Sequence, residues 1–334
     1  MPKPVQAPRP KPNRQRGIAL LLTLVTAALV VSLAMVIFYR QSQLRRHVDD
    51  YETMEVAWHY VDAMEQYALF NLNTYFKNKS YFDPDDFKKK LIFQLTDGTG
   101  WSVVLTGELS DLQGRFNLNN VLALEQPQAP PIQLLKNLVK PLGISESFSD
   151  VVLDWIDKDT IARSAESAES DYYASQAIPY LAANSPLVDP SELRLLRLDT
   201  VDGSSQAQAL DKLLPAVCTL PTLTKININS APAEILNAIG FPTDKLELPF
   251  KDLAKLRSDY PTIPDTIFNQ LDVSSHYFLL NGEVKVDRAR VIVTSILTRE
   301  AGKPWRVLMH HFAPAYSSAT TKTKNHASNP PTTP

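Results

Sequence analysis

Residues Ile18–Tyr39, IALLLTLVTAALVVSLAMVIFY, run for 22 positions without a charged side chain. At about 1.5 Å of rise per residue, a helix of that length is roughly 33 Å long and crosses a hydrocarbon core of about 30 Å. Residues 1–17, MPKPVQAPRPKPNRQRG, hold Lys3, Arg9, Lys11, Arg14 and Arg16, five prolines and no acid. Such a segment is extended, solvated and cationic. Arg40, Arg45 and Arg46 lie just past the apolar run. The positive-inside preference holds the leader in the cytoplasm and places the bulk of the chain outside it.

Three readings fit the apolar run: a plain signal anchor, a secretory signal peptide cut near Ser32-Leu33-Ala34, or a prepilin-type leader cut before the apolar helix. The third wants a basic stretch, a glycine at the junction and an apolar helix directly after it. Arg14-Gln15-Arg16-Gly17 followed by Ile18 supplies all three. The residues beyond Tyr39 favour it as well. Val48, Tyr51, Met54, Trp58, Val61, Met64, Ala68, Leu72 and Phe76 recur in steps of three and four, and no Gly or Pro interrupts from Ile18 to Lys79. The simplest structure is one helix of about 60 residues, roughly 90 Å long, with its first half in lipid and its second half striped onto a globular domain.

Composition narrows the rest. The chain has 334 residues, 34 Lys+Arg against 36 Asp+Glu, and 44% hydrophobic residues, so most of it can bury a core. One cysteine, Cys218, excludes an internal disulfide framework and a Cys-rich metal site, and its apolar neighbours mark it as a core residue. The six histidines lack metal-ligand spacing, and no phosphate-binding loop or nucleophile elbow occurs among the 10 glycines. An enzyme is the poorer reading.

The globular part reads as α+β. Trp101–Leu109 is rich in branched and aromatic residues, and Asp111–Asn119 reads as its partner strand across a turn at Gly114. Ser275–Leu280, Glu283–Arg299 and Trp305–Phe312 read as three more strands, with Asn281-Gly282 and Gly302-Lys303 as tight turns. Two strands before and three after make one antiparallel sheet packed on the long helix. Between them, residues 120–273 have helical patterning broken by prolines, which reads as a large all-helical domain inserted into the sheet domain. The expected organisation is a leader (1–17), a membrane half-helix (18–39), an amphipathic helix with first strands (40–119), the insertion (120–273), returning strands (274–313) and a disordered tail (314–334).

Two segments of the insertion could carry chemistry. Asp154 and Asp157 lie a helical turn apart, Asp159 follows where that helix ends, and Glu166, Glu169 and Asp171 come next. Hard oxygen ligands at a helix-to-loop junction could hold calcium; a solvated acidic helix end is the bland alternative. The second, Lys225–Gly240, begins like a helix–hairpin–helix unit, with Ser230 and Pro232 opening a helix that Gly240 ends. From 221 to 273 the chain carries 5 basic and 7 acidic residues. Affinity for nucleic acid needs cations, so a structural role is the better reading. A membrane-anchored periplasmic DNA-binding receptor is the alternative function.

Six segments occur in order: Arg14–Leu22, Asp111–Asn120, Leu153–Asp159, Asp171-Tyr172-Tyr173, Ser191–Arg194 and Ile226–Glu234. Together they resemble the minor pseudopilin K family of type II secretion systems over about residues 14–312. The resemblance implies a pilin-like fold with a helical insertion, and cleavage between Gly17 and Ile18 by the prepilin peptidase, with methylation of the new N-terminus. It also implies a single-pass inner-membrane anchor with a periplasmic body, and a place at the tip of the pseudopilus with minor pseudopilins I and J. The major pseudopilin, the secretin and secreted cargo are further contacts, and nucleic acid is not one. Most pilins carry Glu at the fifth position after cleavage; here it is Leu22. An ionised Glu in lipid needs a partner, which a subunit with nothing ahead of it in the fibre would lack. Family members have been seen with calcium in the insertion, which points to Asp157, Asp159 and Asp171 as ligands, with Glu169 and Asp154 beside them and a structural role for the ion. Removing the leader's five basic residues from 34 leaves 29 against 36 acidic ones, a net of −7. Ala27, Ala28, Ser32 and Ala34 would let partner helices approach the membrane half closely.

Overall fold

A computed structural model describes residues 14–96, 98, 100–123, 128–241, 247–300 and 302–313. Most of the leader, the tail at 314–334 and part of the hairpin expected after Gly240 lie outside the described residues. Helix α1 runs unbroken from Arg14 to Asn78, 65 residues. Its apolar first half is uncovered by the other described residues: Ile18, Leu22 and Phe38 are 70%, 62% and 75% exposed. That stretch is long and apolar enough to cross a membrane.

The second half of α1 lies on a five-stranded antiparallel sheet. Strands β1 (Leu91–Thr96) and β2 (Ser102–Asp111) form one hairpin. Strands β7 (Tyr277–Val286), β8 (Ala289–Thr298) and β9 (Arg306–Ala313) form a meander. The sheet order is β1-β2-β7-β8-β9. Inward residues of β8 alternate, with Val291, Val293, Ser295 and Leu297 buried, as a strand half-covered by a helix requires. Against them α1 buries Ala57, Val61, Met64, Ala68, Leu69 and Leu72. Glu65 is the polar exception: it is buried, accepts a hydrogen bond from Ser295 Oγ at 2.5 Å, and has His310 Nδ1 3.5 Å away.

Three expectations need correction. The partner of the first long strand is residues 91–96, not Asp111–Asn119, whose polar side chains are spent at the joint between sheet and insertion. Asn281-Gly282 is no turn. It sits inside β7, where Gly282 faces Gly107 of β2, and a Cβ at 282 would collide with the Met64 side chain. The paired glycines let α1 settle onto the sheet. The hairpin closes instead at Asp287-Arg288, with Asp287 in the left-handed region at φ 49°. The apolar stripe of α1 also begins later than its periodicity suggests: Val48 and Tyr51 are 54% and 75% exposed, because the sheet does not reach that far toward the membrane.

Between β2 and β7 the chain leaves the sheet and builds a second hydrophobic core of its own, with Phe116, Leu134, Leu135, Leu138, Phe148 and Tyr173 fully buried. Its helices are short. They are α2 (Pro130–Val139), α3 (Phe148–Ile156), α4 (Ser170–Ala174), α5 (Gln206–Leu213), α6 (Ala233–Ala238), α7 (Leu253–Asp259) and α8 (Asp265–Phe268). Two parallel two-residue pairings tie the ends together. One joins β3 (Phe116–Asn117) to β4 (Val217–Cys218), the other β5 (Ile226–Asn227) to β6 (Leu271–Asp272). Burial pushes the Cys218 thiol up to about 12, which leaves it inert.

Candidate functional site

Three places bring together the residues singled out in the sequence. The first is the start of α1. Gly17 and Ile18 lie within the helix, and Leu22 is on it a turn later, with no acidic side chain from Ile18 to Tyr39. An apolar helix exposed over its full circumference is stable only in lipid or against other helices.

The second is the acidic end of α3. The helix stops at Ile156 and Asp157 caps it in an extended conformation. One carboxylate oxygen from each of Asp157, Asp159 and Glu169 lies within 4.8 Å of the other two. A hard cation bound at about 2.4 Å needs its oxygens no farther apart than that. Asp157 and Glu169 are buried, and among the described residues Asp157 Oδ1 and Glu169 Oε1 have no hydrogen-bond partner. Orphaned buried carboxylate oxygens are costly and want a cation. Asp154, behind the group and fully buried, accepts from the Arg163 backbone N–H at 3.2 Å. Asp171 is exposed in the first turn of α4 and is not part of the three-carboxylate group. Burial pushes the carboxyls of Asp154 and Glu169 above their usual range, and for Glu169 the neighbouring carboxylates add to the effect.

Sequence reasoning missed Arg163. Its guanidinium donates to Asp157 Oδ2 at 2.8 Å and lies 3.4 Å from Asp154 Oδ1. The signal was present: Arg163 is the single basic residue between Lys158 and Arg194. One guanidinium among four carboxylates leaves the cluster anionic.

The third place is the joint between sheet and insertion, where two of the motif segments meet. Asp111 ends β2 and is buried. Its Oδ2 accepts from Asn227 Nδ2 at 2.7 Å, from Ser275 Oγ at 2.7 Å and from Ser230 Oγ; its Oδ1 accepts from the Gln113 backbone N–H at 2.8 Å. The asparagines of both segments do similar work. Asn229 Nδ2 donates to the carbonyls of Phe82 and Phe250, each at 2.9 Å, and Asn119 Nδ2 donates to those of Leu187 and Leu220. Asn, with two donors and an acceptor, satisfies buried backbone where two chain segments cross without regular pairing. Asn227, Asn229 and Ser230 of the Lys225–Gly240 segment are therefore spent on internal hydrogen bonds.

A family model described as "Type II secretion system (T2SS), protein K" matches residues 114–222. Type II secretion system protein K of Pseudomonas aeruginosa is 28% identical over 313 residues, covering 86% of this chain and 90% of that protein. The Aeromonas hydrophila protein is 28% identical, covering 90% of this chain and 97% of its own length. The protein from Pectobacterium carotovorum is 31% identical over 232 residues, 65% of this chain and 67% of that protein. Among solved structures, a chain of the GspK–GspI–GspJ complex from the type 2 secretion system of enterotoxigenic Escherichia coli matches with a TM-score of 0.66. That match has 23% identity and covers 78% of this chain and 97% of that one, which supports the fold. On sequence likeness at this coverage, the chain belongs to the type II secretion system protein K family.

Proposed function

We propose that the protein is a minor pseudopilin that caps or nucleates the pseudopilus together with minor pseudopilins I and J, and that it acts by assembly, not catalysis. The observation that carries this reading is α1: one helix of 65 residues whose first half is apolar and uncovered and whose second half is the spine of the sheet domain. Such a helix anchors the subunit in the inner membrane and then presents the same apolar surface to neighbouring helices when the subunit enters a fibre. The cytoplasmic leader is cut between Gly17 and Ile18, the periplasmic body stays outside, and Leu22 marks a subunit with nothing ahead of it. The insertion broadens the tip, where contacts with the major pseudopilin, secretin and cargo would be made. The test is N-terminal sequencing of the protein from membranes with and without the prepilin peptidase. A peptidase-dependent start at Ile18 is expected; an intact Met1, or a start at Met35, refutes the reading.

The carboxylates at the end of α3 fit a structural calcium ion, with Asp157, Asp159 and Glu169 as the protein ligands in reach of one another. Calcium would neutralise the orphaned oxygens and hold the 157–169 loop closed. Chelation is expected to lower the thermal midpoint of the insertion. At free calcium about 100-fold above the dissociation constant, the linked stabilisation is about 2.7 kcal/mol. Differential scanning calorimetry with EGTA, then with calcium restored, checks this. Asp157→Asn should abolish the calcium-dependent part of the shift; a midpoint indifferent to chelation in the wild type overturns the site.

A further inference from the structure

The Asp111–Asn120 segment contains one residue that neither the fold nor the proposed assembly uses. Arg115 is partly buried, and among the described residues its guanidinium has no hydrogen bond or ion pair. It lines a cleft of about 370 Å³ where the sheet domain meets the insertion. Lys88 and Glu108 of the cleft are ion-paired, with Asp85 at 2.5 Å and Lys90 at 3.0 Å, and Asp111 is buried and hydrogen-bonded to neutral donors through both carboxylate oxygens. Arg115 is the cation of the cleft that has no ion-pair partner among the described residues. The walls around it include Phe87, Pro215 and Pro232, apolar groups that are only partly covered.

The setting is also rigid. The Arg115 backbone N–H closes a turn on Leu112 O at 3.2 Å. Gln113 is tied on both sides, its Nε2 donating to Lys225 O at 3.1 Å and its Oε1 accepting from the His276 backbone N–H at 2.5 Å. A half-buried guanidinium without a hydrogen bond or ion pair, on a hydrogen-bonded turn beside apolar groups, is placed for a planar anion that can take two parallel N–H donors.

We propose that this cleft binds a peptide carboxylate, gripped by Arg115, with an apolar side chain of the same peptide lying against Phe87, Pro215 and Pro232. The carboxylate is either a chain terminus or an Asp or Glu side chain of a partner segment. The cleft has this chemistry wherever the protein sits in a fibre.

The test uses full-length protein in detergent micelles and three fluorinated probes followed by fluorine NMR: N-acetyl-4-fluorophenylalanine, its amide, and N-acetyl-glutamyl-4-fluorophenylalanine amide. A probe with a carboxylate should bind at least tenfold more tightly than the simple amide. Preference for the first identifies a chain terminus, and for the third an acidic side chain. Arg115→Gln should abolish the difference between carboxylate and amide, while Arg115→Lys, which keeps the charge and loses the fork, should weaken carboxylate binding several-fold. The Lys variant decides the matter should the Gln variant not fold. Equal binding of carboxylate and amide, or carboxylate binding unchanged in the Lys variant, overturns the proposal.

Discussion

Gly114→Ala is expected to destabilise the insertion by about 3 kcal/mol and to lower its thermal midpoint by roughly 6–12 °C. The Cβ it adds would fall on the carbonyl oxygen of Ser230 and 2.6 Å from the carbonyl carbon. A collision with a long side chain is relieved by rotation; this one is with backbone. Ser230 cannot retreat easily, because its Oγ donates to Asp111 and its N–H donates to Asn227 O at 3.3 Å. Relief requires parting the two crossing segments, which exposes Asn227 and the buried carboxylate. Gly98→Ala is the control, since a Cβ there meets nothing, and it should change stability by less than about 0.5 kcal/mol. Thermal unfolding by circular dichroism, with hydrogen exchange in α2 and α3 to locate the loss, reads both. A midpoint shift below about 2 °C for Gly114→Ala would mean that the joint relaxes and that close approach at Gly114 is not what holds it.

The long helix was legible from the sequence because its signals are local. An uncharged run, flanking cations and the absence of Gly and Pro all concern neighbours in the chain, and Val61, Met64, Ala68 and Leu72 of the expected stripe are buried. The strand pairing was less legible, for two physical reasons. Asn281-Gly282 has the composition of a type I′ turn, but the glycine is there for Met64, 218 positions away in sequence, and a turn rule has no access to the helix that packs on the strand. Leu91–Thr96 is an edge strand with Ile92 64% and Phe93 41% exposed, so the alternation that reveals a half-buried strand is missing.

The sites divide along the same line. Asp157 and Asp159 could be grouped from their crowding at a helix end, but the sequence favoured Asp171 over Glu169. It is Glu169, the buried N-cap of α4, that lies with them, and Asp171 is exposed in the first turn. Asp111 and Asn227 lie 116 residues apart, and their contact is a property of the insertion's return path. What the sequence offered instead was two motifs rich in asparagine, at Asp111–Asn120 and Ile226–Glu234. Their physical cause is that a domain inserted into a sheet must leave and re-enter at neighbouring points, where buried backbone is irregular and side-chain amides satisfy it.

Asp111→Ala is expected to cost about 4 kcal/mol at neutral pH, more than any other single change at the joint. The carboxylate accepts from one backbone N–H and three side-chain donors, and Asn227 and Ser275 are fully buried, so truncation strands donors that water cannot reach. Asp111→Asn keeps one acceptor oxygen but turns an NH2 group toward donors, and should cost about 2–3 kcal/mol. The pH dependence separates charge from geometry. Burial, opposed by the hydrogen bonds from Ser230, Ser275, Gln113 and Asn227, pushes the Asp111 carboxyl above its ordinary value of 3.8. The folded state then holds this proton more tightly than the unfolded chain does. The stability it contributes is complete below the unfolded pKa and is lost as pH rises through the folded one. The neutral Asn carries no such term. The deficit of Asp111→Asn relative to wild type should therefore be largest near pH 4 and narrow toward pH 7 in parallel denaturant titrations. A deficit that widens with pH would show that the four donors outweigh burial and that the joint is built around a carboxylate held ionised.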